Sequence, residues 1–300
     1  MLTPMRAEIA VSQPFGHPPA PSQASTDEQL VAIWLHGHSP HTQRAYRTDV
    51  TRFLAGAGKP LAQVTLADLQ NFADSLARLQ PSSRCRILSA IKSLLGFAHR
   101  IGYLPFDVGH ALRLPAVRGR LAERILPEAD LHRILALERH PRNQAILTLL
   151  YASGIRVSEL CGLCWRDLQA TPGAGQITVL GKGGITRAIH LPASVWKLLV
   201  ALRAPQAEAG DPVFRSRKKK HGGRLQSLAV LRIVRQAAAR AGIEVPVSPH
   251  WFRHAHASHA LDRGAPIHLV QATLGHASIT TTGRYLHARP KDSSSRFLSL

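Results

Sequence analysis

At 300 residues, 45% of them hydrophobic, the chain is long enough for two domains of about 150 residues, each with its own core. Lys and Arg number 38 against 18 Asp and Glu, a formal charge of +20 with a pI near 11.3, so a polyanion, nucleic acid above all, is the expected partner. No uninterrupted apolar run approaches the roughly 18 to 20 residues of a membrane span, and the chain reads as soluble.

Residues 1–24 carry Pro14, Pro18, Pro19 and Pro21 among Ser, Gln and Ala and read as a disordered Pro-rich tail. Structure is expected to begin at STDEQL, where Ser25 and Glu28 have capping-box spacing ahead of a helix to about Leu35. Ser39 and Pro40 start a second helix, whose Tyr46, Val50, Phe53 and Leu54 recur at helical spacing until Gly56 and Gly58 stop it. Thr65 with Asp68 opens a third, carrying Leu66, Leu69, Phe72, Ala73 and Leu76. A fourth runs from Ser82 to Ile101, with Ile87, Ile91, Leu94, Leu95 and Ala98 inward and Gly102 behind it. Residues 25–104 thus predict a compact four-helix unit with Arg44, Arg47, Arg52, Arg84, Arg86, Lys92 and Arg100 on its exposed faces.

Residues 105–122 mix Pro, Gly and Arg without a clean period and read as a linker. The second domain, residues 123–300, is expected to be mostly α with a small β-hairpin. Pro127 opens a helix through EADLHRILALE, and Pro141 opens another through RNQAILTLLYASG, apolar enough to be central. At QITVLGKGGITRAIHL the pattern changes to period two, which predicts two short strands around the turn GKGG. Helical patterning then returns, interrupted by RSRKKKHGGR (215–224), whose six Lys and Arg and no acid suit either a phosphate-contacting loop or a solvated one.

Three cysteines and no signal peptide favour a reducing compartment, the cytoplasm. Cys161 and Cys164 form a C-x-x-C, but two further ligands at zinc spacing are missing, and the pair closes a helix rather than opening one; two small residues on a core-facing turn are expected. No P-loop is present either: five residues separate Gly175 from Gly181, and Gly183 stands where Ser or Thr would hold magnesium. His250 and His254 have the spacing of a zinc helix, yet Trp251 replaces the glutamate and Arg253 would repel a cation. No metal and no cofactor are implied.

Six polar positions remain before the last tyrosine. Arg156 and Glu159 lie three apart after the helix-breaking Gly154 and can support one another on one helix face. Lys182 sits at the Gly-flanked hairpin tip. His250 and Arg253 share a face of a helix begun by Ser248 and Pro249, and Gly275-His276 precedes Tyr285 by nine residues. Converging on one anion, these groups suit a phosphodiester: guanidinium groups fork onto its non-bridging oxygens as phosphorus becomes five-coordinate. A phenol of pKa about 10 needs a cationic site or a base to act as nucleophile, and His250 is the residue expected to move its proton. Lys182 suits the general acid for a departing 5′ hydroxyl.

The segments YASGIRVSEL, LGKGGITR, HWFRHAHASHAL and LVQATLGHASITTTGRYLH, in this order, resemble the signature boxes of the tyrosine recombinase family, the phage-type integrases. The four-helix unit is similar to the family's core-binding, SAM-like DNA-binding domain, and residues 123–300 to its catalytic domain. The resemblance implies a pocket of Arg156, Lys182, His250, Arg253 and His276 around the scissile phosphate, Tyr285 as nucleophile and Glu159 as a helper. It implies site-specific strand exchange through a 3′-phosphotyrosyl link, without metal or ATP, on double-stranded DNA bearing specific recombination sites. The expected assembly is a homo-tetramer on two duplexes, a dimer per site, at the bacterial nucleoid and with no membrane. The subclass is expected to be two-domain and Xer-like, with Phe297, Leu298 and Leu300 as the foot of a tail docking on a neighbouring protomer. A type IB topoisomerase-like relaxation and a non-catalytic accessory DNA-binding protein on the same scaffold are the alternatives.

Overall fold

The computed structural model describes residues 23–117, 121–181, 184–216 and 223–286. Outside the described residues lie most of the Pro-rich tail, Lys182 at the hairpin tip, residues 217–222 of the basic run and the tail with Phe297, Leu298 and Leu300. The chain divides into two compact units, residues 1–118 and 119–300.

The first unit is built from α1 (Asp27–Leu35), α2 (Pro40–Ala57), α3 (Leu66–Ser75) and α4 (Pro81–Arg100). Their apolar stripes meet in one core around Leu30, Phe53, Leu69, Leu76, Ile91, Leu94 and Leu95, all fully buried. Burial of each such side chain contributes about 1.5–3 kcal/mol. The start of α1 differs from expectation by one residue: Thr26, not Ser25, is the cap, accepting from the backbone N–H of Gln29, while Ser25 N–H donates to the Gln29 side chain. Thr65 and Asp68 do form the reciprocal cap of α3.

One expectation is corrected by the first unit's core. Residues 105–112 are not linker: Leu104, Val108 and Leu112 are buried in the bundle core, and Lys92 Nζ donates to the carbonyls of His110 and Leu112 at 3.2 and 2.7 Å. A 3-10 turn over Val108–Ala111 has no helical or strand period, so its burial leaves no sequence signature. Arg86 is exposed as expected, and its Nη2 reaches Asp49 Oδ1 at 3.0 Å, while Lys92 is half-buried and ties down this segment.

The second unit contains α5 (Glu128–Ala136), α6 (Pro141–Ser153), α7 (Val157–Gly162), β1 (Leu168–Thr171), β2 (Ala174–Leu180), β3 (Thr186–Leu191), α8 (Ala193–Val200), α9 (Ser227–Arg240), α10 (Pro249–Asp262), α11 (Ile267–Leu274) and α12 (Ile279–Gly283). α6 is central, with Ile146, Leu147, Leu149 and Leu150 all buried, as its all-round apolar sequence requires. The hairpin expected at GKGG is β2 paired antiparallel with β3, Ile177 opposite Ile189. A third strand, β1, adds to its other edge, Leu168 opposite Ile177, and was not expected. Four residues directly after a 3-10 turn at Trp165–Asp167 are too few to show alternation.

Cys161 and Cys164 are free thiols at the end of α7. Cys164 is buried, as expected of a small apolar residue, but its Sγ also accepts from Arg224 Nη2 at 3.0 Å, which holds one end of the basic run. Among the described residues no group of three His, Cys, Asp or Glu is placed to hold a metal, and no helix is long and apolar enough to cross a membrane.

Candidate active site

Two helix ends create the seat of the site. α6 stops at Gly154 and α11 at Gly275, both in the left-handed conformation (φ 59° and 62°). A helix end leaves carbonyls without intrahelical partners and a partial negative charge, so it attracts a cation. Arg253, on α10 and only 5% exposed, answers both ends: Nη1 donates to Gly154 O and Nη2 to Leu274 O, each at 2.6 Å. Glycine is required at 154 by space as well as by φ, because a Cβ there would lie 2.6 Å from Leu274 Cδ2 and 2.8 Å from His256 Cδ2.

Arg156 directly precedes α7. Its backbone N–H donates to Glu159 Oε2 at 2.7 Å, its Nη1 to Glu159 Oε1 at 2.8 Å and its Nη2 to Gly275 O at 3.3 Å. The expected Arg156–Glu159 pair therefore exists, and it is also the cap of α7. The Glu159 carboxylate, 4% exposed, has a second partner in Arg187, whose Nη1 and Nη2 reach its two oxygens at 3.0 and 2.9 Å. Arg187 Nε continues to Thr273 O at 2.8 Å. Burial works to raise the Glu159 pKa, but Arg187 and the Arg156 backbone and side chain outweigh it, and the net shift is downward. Two guanidinium groups thus hold one carboxylate, with the Arg253 guanidinium nearby, and the balance is positive.

The histidines feel that balance. Burial and then the charges of Arg253, Arg156, Arg187 and His254 push His276 down to about 4. Burial, His250, Arg124 and Arg253 bring His254 to about 4 as well. His250 keeps an open face to solvent, yet lost hydration on its pocket side, Arg253 and Arg156 also lower its pKa. At neutral pH these rings are uncharged acceptors or donors.

Tyr285 follows α12 and is 6% exposed, packed with Ile125, Ala257, Val270 and Leu274. Its ring lies nearly parallel to His276, at 5° and 6.5 Å between centroids, and His276 Nδ1 is 2.9 Å from Thr282 Oγ1. The phenolic oxygen is 2.8 Å from His254 Nδ1. Burial raises the phenol's pKa against the opposing pull of Arg253, so the hydroxyl keeps its proton, and with His254 as the Nε2–H tautomer it donates a hydrogen bond to Nδ1. The hydroxyl's partner is therefore His254, where the sequence pointed to His250.

Of the residues expected from sequence, Arg156, His250, Arg253, His276 and Tyr285 come together here, and Lys182 lies outside the described residues. Residues 124–292 match the phage integrase family, and residues 32–102 match the family's N-terminal SAM-like domain.

The chain belongs to the phage integrase family.

Among its relatives, tyrosine recombinase XerC of Xanthomonas campestris pv. campestris (strain B100) is 35% identical over 263 residues, 83% of this chain and 79% of the relative. Tyrosine recombinase XerD of Chlorobaculum tepidum is 34% identical over 268 residues, 83% of this chain and 86% of the relative. The fold is that of XerH recombinase bound to a palindromic difH substrate, at a TM-score of 0.71 and 19% identity over 92% of this chain and 84% of that one. It is likewise that of a lambda integrase dimer bound to a core site, at 0.70 and 20% over 89% and 95%.

Two residues of this integrase pocket escaped the sequence reading. Arg187 had a usable signal: on β3 it shares the inward phase with the buried Ile189 and Leu191, where an unpartnered cation would be costly. His254 had none beyond standing next to Arg253, because its partner is 31 residues away. The other two histidines of α10 are structural. His256 Nδ1 is 2.8 Å from Tyr151 O, and His259 bridges the Tyr151 hydroxyl and Leu126 O, both at 3.1 Å.

Proposed function

We propose that this chain is a site-specific DNA recombinase that cuts and rejoins strands through a 3′-phosphotyrosyl intermediate. The observation that carries the reading is a surplus of guanidinium charge, locked in place by helix-end carbonyls, beside a buried tyrosine hydroxyl. Such fixed donors stabilise the charge that develops on the non-bridging oxygens without reorganising at the moment of reaction. In this reading Arg156 and Arg253 hold the scissile phosphate, and His250 and His276 donate hydrogen bonds to it. Glu159 with Arg187 keeps Arg156 oriented, Tyr285 attacks phosphorus, and Lys182 protonates the departing 5′ oxygen. The released 5′ hydroxyl of a partner strand then attacks the phosphotyrosyl link, so bond energy is retained and no metal or nucleotide is consumed.

The substrate in this reading is duplex DNA with paired recombination sites, and the working form is a tetramer that joins two duplexes, as a lambda integrase tetramer does in its complex with a Holliday junction. The +20 charge suits that partner, and the protein would work at the nucleoid in the bacterial cytoplasm.

The test uses the full chain in EDTA with a pool of nicked duplexes whose arms are randomised, capturing protein covalently joined to DNA. Adducts should form, reveal a common half-site on sequencing, and disappear in Tyr285→Phe while DNA binding persists. A pool that gives no adduct, or an adduct that survives Tyr285→Phe, overturns the reading.

A further inference from the structure

We propose that His254 takes the phenolic proton of Tyr285 as the tyrosine attacks phosphorus, which makes it a catalytic residue and the general base of the cleavage step. This rests on the recombinase reading above and assigns one atom within it.

The geometry comes first. An attacking phenol must lose its proton, and the titratable group its oxygen already meets is His254 Nδ1, 2.8 Å from Tyr285 Oη. That separation is within reach for direct transfer. His250, the other histidine at hand on α10, has its ring centroid 6.4 Å from that of His254 and opens toward solvent. His276 is committed through Nδ1 to Thr282 and lies parallel to the tyrosine ring rather than end-on to its hydroxyl. Behind His254, a cavity of about 360 Å³ lined by Arg124, Ser248, His250 and Trp251 gives the imidazole a route to water. A proton taken from the tyrosine can leave by that side and return by it.

The electrostatics explain why the base would work only with DNA in place. The charged and titratable groups facing His254 are His250 and Arg253 on its own helix, Arg124 from the turn before α5, His276 after α11, and Tyr285 after α12. Burial first, and then both arginines, oppose a positive charge on the ring, so the free protein holds its imidazole neutral; burial also keeps the tyrosine protonated, against the pull of Arg253. A phosphodiester seated between Arg156 and Arg253 brings a negative charge that offsets them, and the imidazolium becomes affordable as the phenol becomes nucleophilic.

The step balances as follows. The Tyr285 Oη–P bond forms while the P–O5′ bond breaks; the phenolic proton passes to His254 Nδ1, and the 5′ oxygen takes a proton from the general acid. In the reverse attack the 5′ hydroxyl returns its proton to that same group, now acting as base, and His254 returns one to the tyrosine as the Oη–P bond breaks. No oxidant, metal or further reactant enters.

Two measurements on the full chain test the assignment. In the DNA-free protein labelled with 15N-histidine, the His254 resonance, identified by its loss in His254→Gln, should report an unprotonated acceptor Nδ1 and should shift in Tyr285→Phe. An unchanged signal means the contact is absent, and the proposal falls. In single-turnover cleavage of the nicked duplex recovered by covalent capture, His254→Gln should form adduct about 10²-fold more slowly at neutral pH, with unchanged DNA affinity. Its rate should climb with pH where the parent's has levelled, because hydroxide then replaces the missing base. A glutamine can accept the tyrosine's hydrogen bond but cannot take its proton, so a Gln variant as fast as the parent reduces His254 to a positioning contact and overturns the role. The smaller His254→Asn is run alongside, with the Tm of each variant, to separate a folding loss from a lost base. A parent that forms no adduct at all fails at the recombinase reading itself and takes this role with it.

Discussion

In the first unit Arg86 meets the carboxylate of Asp49, a residue only 4% exposed, and that hydrogen bond raises the guanidinium pKa. In the second unit Arg253 is itself the buried partner, its described hydrogen bonds go to two carbonyls, and burial with the nearby Arg156 lowers its pKa to about 10. The first arrangement is closed, because a carboxylate cancels the cation and leaves nothing to bind. The second is held open by dipoles that fix the guanidinium without neutralising it, and a phosphate can supply the missing charge. Helix-end carbonyls are suited to that task, since they orient a fork of donors while contributing only partial charge.

The contrast breaks most visibly at Arg253. Arg253→Lys keeps the charge but cannot bridge Gly154 O and Leu274 O while also facing a phosphate, so single-turnover adduct formation should fall about 10³-fold. A lysine variant that cleaves at the parental rate would show that the bridging fork is unnecessary. Gly154→Ala attacks the same bridge from the backbone. The new Cβ meets Leu274 and His256 at under 3 Å in a left-handed conformation, and urea unfolding should report a loss of about 3 kcal/mol. In the closed system, Arg86→Leu leaves the Asp49 carboxylate buried without its cation. The half-exposed arginine makes the loss smaller, about 2 kcal/mol, and it should leave the 15N signals of the pocket histidines unmoved.

Much of this contrast could be read from the sequence, and the part that could not has a common cause. The four helices of the first unit announce themselves through residues such as Val50, Phe53, Ile87 and Ile91, whose spacing and caps are local. The site residues Arg156, His250, Arg253, His276 and Tyr285 could be picked out because each sits in a short run whose resemblance to a family carries its role. What stayed hidden depends on contacts between distant segments. Thr273 and Gly275 carbonyls reach Arg187 and Arg156 across 86 and 119 residues, and His254 finds Tyr285 across 31. The segment 105–112 was misread for the same reason, because its anchor is Lys92 rather than any period of its own. Backbone carbonyls are the least visible partners of all, since every residue has one and no side chain marks which will be used.

Acid offers a gentler way to separate the two units. His254 and His276 have folded-state pKa values of about 4 against an ordinary value of 6.5. The unfolded chain therefore binds their protons as pH falls through about 6.5, while the folded chain does not until about 4. Unfolding is favoured progressively across that window, and above it the effect is absent. In the first unit Asp68 is shifted the other way, down to about 2 by Lys59 and Thr65, so its stabilising contribution is present above 3.8 and is lost only as pH falls from there toward 2. Melting of the second unit should thus weaken between pH 6.5 and 4, at a pH where the first unit keeps the Asp68 contribution intact. Trp34 is the sole tryptophan of the first unit, and Trp165, Trp196 and Trp251 report the second, so fluorescence melts of Trp34→Phe follow the second unit alone. A second-unit Tm that stays level from pH 6.5 to 4 would mean the histidines ionise freely in the folded pocket. The guanidinium surplus would then be neutralised by something other than an incoming phosphate.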